Sequence, residues 1–381
     1  MEFTYSREQQ MVKKMIKEFA ETEIAPIAEE IDAEAKYPYE TVAKLGELGV
    51  MGMPFPQEYG GAGTDYLTYI MAVEELSKVD ASHGVIVQTH NALCCWPIFT
   101  YGTEEQKRKY LPDLLSGKKL GAFGLTEPNA GTDAAMQQTT AKLDKETGEY
   151  VLNGSKIFIS GGGIADVYVI MAMTDKSKGN HGISSFIVEK GTPGFSRGKK
   201  ENKMGIRGSI AAELVFEDCR IPKENLLGKE GKGFKTAMTS LDVGRLGIAA
   251  QALGIAQGAF DQTVEYMKQR KQFGRSLNKF QSLAFEMANM KTEIDAARFV
   301  LYNACNTRDR GLNSTVEAAQ AKLKCSEVAS YVVDKAVQFH GGYGYIKDYP
   351  VERMYRDQKI TEIYEGTSEV MRMVISGSIF R

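Results

Sequence analysis

The sequence is short of the features that mark several common classes of protein. It carries no surplus of either charge, with 47 Lys and Arg against 49 Asp and Glu, a net of −2. That balance gives no support to a nucleic-acid or membrane-surface role, which calls for a basic face. No apolar run approaches the roughly 20 residues that a helix needs to span a bilayer, so membrane insertion is not expected. Cysteine is scarce and odd in number: Cys94, Cys95, Cys219, Cys305 and Cys325. None forms a CxxC, and adjacent Cys94 and Cys95 make no metal spacing. Buried thiols in a reducing cytoplasm are expected, with no metal site. The opening Met1-Glu2-Phe3-Thr4 shows no basic or amphipathic leader. Two phosphate-binding signatures are also missing, because no Gly-Lys-Ser/Thr follows a glycine loop and GxGxxG is absent.

What is present is a globular composition, 43% hydrophobic and 25% charged over 381 residues, enough for two or three domains with a large core. Residues 5–118 read as helical. Met11, Val12, Met15, Ile16, Phe19 and Ala20 recur at helical spacing, and Pro26 bends or restarts that helix. Further helices are expected over Glu40–Leu48, Leu67–Leu76, Ser82–Thr100 and Glu104–Leu114. His83 and His90 lie near these helices without a matching ligand set and read as structural. Near Gly117 the pattern changes to short β-rich runs. Asn153-Gly154, between Tyr150-Val151-Leu152 and Lys156-Ile157-Phe158-Ile159, predicts a hairpin turn. From Gly231 the helical period returns in long runs starting near Phe234, Ser276 and Thr315. The expected fold is α+β: an N-terminal helical domain (1–118), a middle β domain, barrel-like (119–228), and a C-terminal four-helix bundle (229–381).

Five stretches invite chemistry. Ile363-Tyr364-Glu365-Gly366-Thr367-Ser368-Glu369 sets a carboxylate between an aromatic ring and a glycine, at the start of a helix that Thr367 or Ser368 could cap. Gly124-Leu125-Thr126-Glu127-Pro128-Asn129-Ala130-Gly131-Thr132-Asp133 is rich in small residues and hydroxyls that suit a polar ring edge and a pyrophosphate. Phe158-Ile159-Ser160 ends a strand before glycines. Arg270-Lys271-Gln272-Phe273-Gly274-Arg275 is a basic cluster at a helix end, and Leu241-Asp242-Val243-Gly244-Arg245 enters a long helix. Each alone is as easily a surface Glu, a connecting loop, a core aromatic or a solvated terminus.

In this order and at these separations, they resemble the acyl-CoA dehydrogenase family over residues 5–381. The nearest resemblance is to anaerobic bacterial short-chain (butyryl-CoA) dehydrogenases and enoyl-CoA reductases. The resemblance implies FAD and a bacterial cytoplasmic enzyme. It also implies an electron-transferring flavoprotein as redox partner and a homo-oligomer, by analogy a homotetramer. Glu365 would be the base that takes the α-proton while the β-hydrogen passes as hydride to flavin N5. Some relatives carry that base at the position of Gly244, which here has no side chain. Phe123, Leu125 and Thr126 would meet the flavin edge, and Thr132 the pyrophosphate or the CoA arm. Phe158 and Ser160 would cover the flavin. Arg270, Phe273, Gln281, Gln338, Gly341 and Gly342 would reach a neighbouring subunit's FAD. Thr367 and Glu369 would lie along the adenylate, and Gly366 and Tyr364 along the substrate. Leu241, Asp242 and Arg245 would take the CoA-bearing part. Gln88, Leu93, Cys94, Cys95, Trp96, Leu241, Ala250 and Tyr364 are candidates for the acyl wall. Reverse reduction of an enoyl-CoA, an aryl-acrylyl substrate and a non-catalytic scaffold are the competing readings.

Overall fold

The computed structural model describes residues 5–380. The expectation about a leader falls on Met1–Thr4, outside the described residues. The N-terminal region is built from α1 (Arg7–Phe19), α2 (Ala28–Glu34), α3 (Tyr39–Glu47), α4 (Tyr66–Val79), α5 (Ala81–Thr89), α6 (Trp96–Tyr101) and α7 (Glu104–Leu115). Ser6 with Gln9, and Thr103 with Gln106, form reciprocal capping boxes that start α1 and α7. Pro26 sits in a 3₁₀ turn between α1 and α2. The single helix expected over Ser82–Thr100 is instead interrupted by a π-helical segment at His90–Cys95. Pro97 lacks the N–H that an unbroken helix would donate to residue 93, and α6 starts afresh there. α4 has almost no exposed face, because it packs against α1, α5 and the long C-terminal helix described below.

The middle region is one eight-stranded sheet: β1 (Gly121–Gly124), β2 (Thr140–Leu143), β3 (Glu149–Ser160), β4 (Val167–Met173), β5 (Ile183–Glu189), β6 (Phe195–Lys200), β7 (Ala211–Pro222) and β8 (Leu226–Leu227). Its order is β6-β7-β3-β2-β4-β5-β8, with β1 parallel to β4. The sheet curls round one core in which Ala122, Tyr150, Leu152, Ile170, Phe186, Leu214 and Phe216 meet. The outer face of β4, with Val167, Val169, Met171 and Met173, packs on Leu111, Leu114 and Ala237 of the helices. β4 is therefore buried on both faces and reads as a continuous apolar run.

One expectation is overturned here. Asn153-Gly154 is no hairpin turn, and β3 runs straight through it beside β7. The register slips between Leu152 and Gly154, which makes a β-bulge. Asn153 donates to the Asp218 carboxylate (3.0 Å) and accepts from the Asp218 N–H (2.8 Å). A Cβ on Gly154 would stand 2.7 Å from the Thr139 backbone, so the glycine serves a close approach within the sheet.

The C-terminal region holds α8 (Gly233–Gln269), a two-stranded hairpin of β9 (Lys271–Gln272) and β10 (Arg275–Ser276), α9 (Gln281–Asp309), α10 (Thr315–His340), α11 (Val351–Gln358) and α12 (Ser368–Ile379). α8, α9 and α10 pack on one another, and α12 lies on α10. α4 shares the core with them, so the two helical regions are joined across α4 and α8. That junction positions the site.

Candidate active site

Glu365 lies in the turn between a 3₁₀ segment (Lys359–Glu362) and α12. Thr367 is the N-cap of α12, its hydroxyl accepting from Val370 N. Glu365 has φ 54°, a left-handed conformation rare for a side-chain-bearing residue, and Gly366 follows at φ 104°. The turn aims the carboxylate inward, at the junction of α4, α5 and α8. Its Oε1 accepts from Gln88 Nε2 on α5 at 2.9 Å, and the same Nε2 donates to the Gly244 carbonyl at 3.0 Å. Its Oε2 is closed off from solvent and has no partner among the described residues. Gln88 Oε1 and the Tyr69 hydroxyl are likewise buried without a partner.

α8 passes directly beneath. A Cβ at Gly244 would stand 2.0 Å from Glu365 Oε2. The glycine is therefore the space that the carboxylate occupies. Arg245, buried, donates from Nε to the Glu365 carbonyl (3.2 Å) and pairs with Asp242 (2.7 Å), which also accepts from Thr315. Lys322 on α10 is fully buried and donates to the Gly366 carbonyl. Burial pushes the Glu365 carboxyl up to about 7, while the Gln88 hydrogen bond and the charges of Lys322 and Arg245 pull the other way. Tyr66, Tyr69 and Tyr364 surround it, and burial together with its charge raises all three phenols. The Tyr364 hydroxyl bonds to Gln251. Glu365 is half-buried with its Oε2 shut off from solvent, a poised carboxylate suited to removing a proton from a weak acid.

A second group of residues lines the sheet. Ile157 N donates to the Thr126 carbonyl (2.9 Å), which ties the 124–133 loop to β3. Beneath them Lys156 and Glu127 form a buried pair at 2.7 Å, and Lys156 also donates to the Leu125 carbonyl. Two residues on, Phe158 sits at a second bulge with φ 59° and a largely exposed ring. A strained, exposed aromatic costs free energy twice, which suits a surface built to receive a flat ring. Leu125 is buried, Phe123, Thr126 and Ser160 half-buried, and Thr132 exposed on the loop. Among the described residues no protein group pairs with the Thr126 or Ser160 hydroxyl.

A third group stands apart from the carboxylate. Arg270, Gln338, Gly341 and Gly342 line an open 440 Å³ cavity with Tyr343 and Ile346. Phe273 and Gly274, both at positive φ, make the two-residue turn of the β9–β10 hairpin, and Phe273 is 93% exposed. The basic cluster is thus a projecting hairpin, where the sequence suggested only a helix end. Gln281 starts α9 outside that cavity, and Glu369 is exposed in the first turn of α12.

Several acyl-wall candidates go elsewhere. Cys94 donates toward the Val167 carbonyl and Cys95 contacts His90, so both belong to the helix–sheet core. Leu93 is buried in the π-helical segment, and Trp96 packs on the two adjoining cores. Ala250 is buried in the core of the helical regions, and Leu241 packs against the sheet-facing core. Gln88 and Tyr364 do reach the carboxylate. His90 accepts from Gly121 N at Nδ1, which leaves Nε2 as the donor to the Leu114 carbonyl. His83 bonds Asp80 and Thr41. Sequence reasoning missed Lys322 and the Lys156–Glu127 pair. The signal for Lys322 was a lysine four residues after Ala318 and three before Cys325, inside the apolar stripe of α10.

A helix–sheet–helix chain that sets a carboxylate of raised proton affinity against a long helix, one of its oxygens shut off from solvent, has the form of an enzyme. Family models for the acyl-CoA dehydrogenase N-terminal, middle and C-terminal domains match residues 6–118, 122–219 and 231–380, and the chain belongs to the acyl-CoA dehydrogenase family. It is 61% identical over the whole of both chains to a short-chain-specific acyl-CoA dehydrogenase of Clostridium acetobutylicum. It is 53% identical to an acryloyl-CoA reductase (NADH) of Anaerotignum propionicum, over 100% of this chain and 96% of that one. Among solved structures, a chain from work on the electron transferring flavoprotein of Acidaminococcus fermentans matches with a TM-score of 0.98 and 56% identity, covering 100% of each chain.

Proposed function

We propose that this protein dehydrogenates a short-chain acyl-CoA at Cα–Cβ, using FAD and passing electrons to an electron-transferring flavoprotein. The observation that carries the reading is the Glu365 carboxylate, buried, held by one hydrogen bond and left with a free oxygen. Two conditions let a carboxylate deprotonate a thioester α-carbon. Exclusion of water raises its basicity, as burial does here. A donor must also meet the oxygen that gathers negative charge. The Glu365 N–H has no backbone partner among the described residues and is the donor assigned to that role. Tyr364 and Gly366 flank the acyl group, and Asp242 and Arg245 fix the floor beneath it. Leu241 and Thr132 lie along the CoA-bearing part.

The residues present fit FAD. Phe158 and Ser160 offer a face, and Phe123, Leu125 and Thr126 an edge with a free hydroxyl. Bound FAD supplies the hydride acceptor, flavin N5, for the β-hydrogen. Arg270, Phe273, Gln281, Gln338, Gly341 and Gly342 take the far end of a FAD held mainly by another subunit, and Thr367 and Glu369 approach the adenylate. This division requires a homo-oligomer, by analogy a homotetramer. The exposure of Phe273 supports it. No helix among the described residues is long and apolar enough to cross a membrane, and a bacterial cytoplasmic setting is inferred. The domains are taken as 1–118, 119–228 and 229–381.

The test is anaerobic titration of the flavin with a panel of acyl-CoAs and enoyl-CoAs. Bleaching by butyryl-CoA is the expected result, and a colourless protein that takes up no FAD refutes the reading. The reductase relative supports a second direction, reduction of a 2-enoyl-CoA by the same machinery. Reoxidation by crotonyl-CoA and by an aryl-acrylyl-CoA measures it.

A further inference from the structure

Lys322 is costly to bury. It is 0% exposed, and among the described residues its ammonium has a single hydrogen-bond partner, the Gly366 carbonyl. A buried ammonium bonded only to a neutral carbonyl does not recover its lost hydration. Burial accordingly lowers Lys322 to about 8, and the charge that most opposes this is Glu365. The fold retains a lysine where the apolar stripe of α10 would accept a methionine.

Its surroundings give the reason. Two successive carbonyls, those of Glu365 and Gly366, are held by two buried cations, Arg245 from α8 and Lys322 from α10. Both residues between those bonds have positive φ. The pair fixes the one turn that aims the base and leaves its N–H free. The charged or titratable groups facing the carboxylate are few. They are Arg245 with its partner Asp242 on α8, Tyr66 and Tyr69 on α4, and Tyr364 beside it, with Glu362 and Glu369 further out. Asp242 already neutralises Arg245, so Lys322 is the cation without a paired carboxylate.

We propose that Lys322 is a positioning residue for the base: its ammonium clamps the Gly366 carbonyl and supplies the charge that keeps the Glu365 carboxylate ionised in its pocket. This rests on the reading of Glu365 as the base. The two contributions separate by substitution. Lys322→Gln keeps a donor for the carbonyl but loses the charge, whereas Lys322→Met keeps the bulk and loses both.

The test uses the full-length, flavin-loaded enzyme. The rate of flavin bleaching by butyryl-CoA is followed against pH, together with infrared titration of the protonated carboxyl band that disappears in Glu365→Gln. In both variants the acid limb and the carboxyl titration move up by about one pH unit. At high pH, Lys322→Gln recovers most of the rate and Lys322→Met does not. An unmoved limb and titration in folded variants overturn the proposal and leave Lys322 a core residue. Wild-type protein that shows no bleaching removes the base reading itself, a separate failure. If neither variant folds, the reciprocal arm decides. Glu365→Gln leaves Lys322 in place, and ¹³Cε-lysine NMR should then show Lys322 titrating lower than in wild type. No shift there overturns the proposal.

Discussion

The base pocket and the hairpin cleft are built in opposite ways. In the pocket, Gln88, Gly244, Lys322 and Glu365 come from four separate parts of the chain, the first three buried and Glu365 half-buried with one carboxylate oxygen shut off from solvent. In the cleft, Arg270 and Phe273 are neighbours on one hairpin, Gln338, Gly341 and Gly342 are neighbours at one helix end, and the cavity that Arg270 shares with them is open. On the proposed reading, the pocket draws its groups from one chain and works by shifting a proton affinity. The cleft presents an aromatic ring and a cation outward and, on the proposed reading, serves to hold part of a cofactor. Chemistry and cofactor retention should therefore be separable by mutation.

The largest expected effect is Glu365→Gln, which should keep FAD and lower turnover by about 1,000-fold, in the range of a lost general base. Steady-state assay with a dye acceptor checks it, and near-normal activity would end the assignment. Gly244→Ala places a methyl group against Oε2 and should lower kcat/KM by about 100-fold at unchanged flavin content. In the cleft, Arg270→Ala and Phe273→Ala should weaken FAD retention by about tenfold while turnover per bound flavin stays near wild type. A fall per bound flavin matching the pocket variants would erase the distinction between the two regions.

Stability supplies the smaller effects. The carboxyl of Glu365 moves from an ordinary 4.5 up to about 7 on folding, so the folded state holds its proton to higher pH. Its contribution is fully present below about 4.5 and is lost as pH rises to about 7. Glu365→Gln escapes that loss and should be about 1–3 kcal/mol more stable at pH 8, with the gain vanishing near pH 4. Urea melts at the two pH values measure this. Smallest is Phe158→Gly, which relieves a left-handed φ but adds chain entropy, for a net gain of about 0.5 kcal/mol by the same melts.

Much of this architecture is legible in the sequence because its signals are local. The three long C-terminal runs, the helices around Pro26, the strand at Val167–Met173 and the cap at Thr367 depend on neighbours a few residues away. Glu365 and Gly244 stand as a pair of positions, one with a carboxylate and one without a side chain, only through the family resemblance. Only the tertiary structure showed that the missing side chain is the room in which the carboxylate lies. The Asn153-Gly154 dipeptide is a good turn signal locally, but Asp218 on a paired strand and Thr139 beside it turned it into a bulge. The resemblance implies that Arg245 contacts substrate, and the tertiary structure adds a bond that no local signal announces, from Arg245 to the Glu365 carbonyl. Nothing local marks Lys322 beyond a charge inside an apolar stripe, and its partners, the Gly366 carbonyl and the Glu365 charge, come to it only with the turn before α12. Sequence by itself determined the long helical runs, the strand at Val167–Met173 and the presence of a carboxylate beside a glycine before a helix cap, while the bulge at Asn153-Gly154, the π segment at His90–Cys95 and the hairpin at Phe273-Gly274 came only with folding. The proton affinity of that carboxylate was decided by the tertiary structure, because burial and the placement of single charges are properties of distant segments in contact.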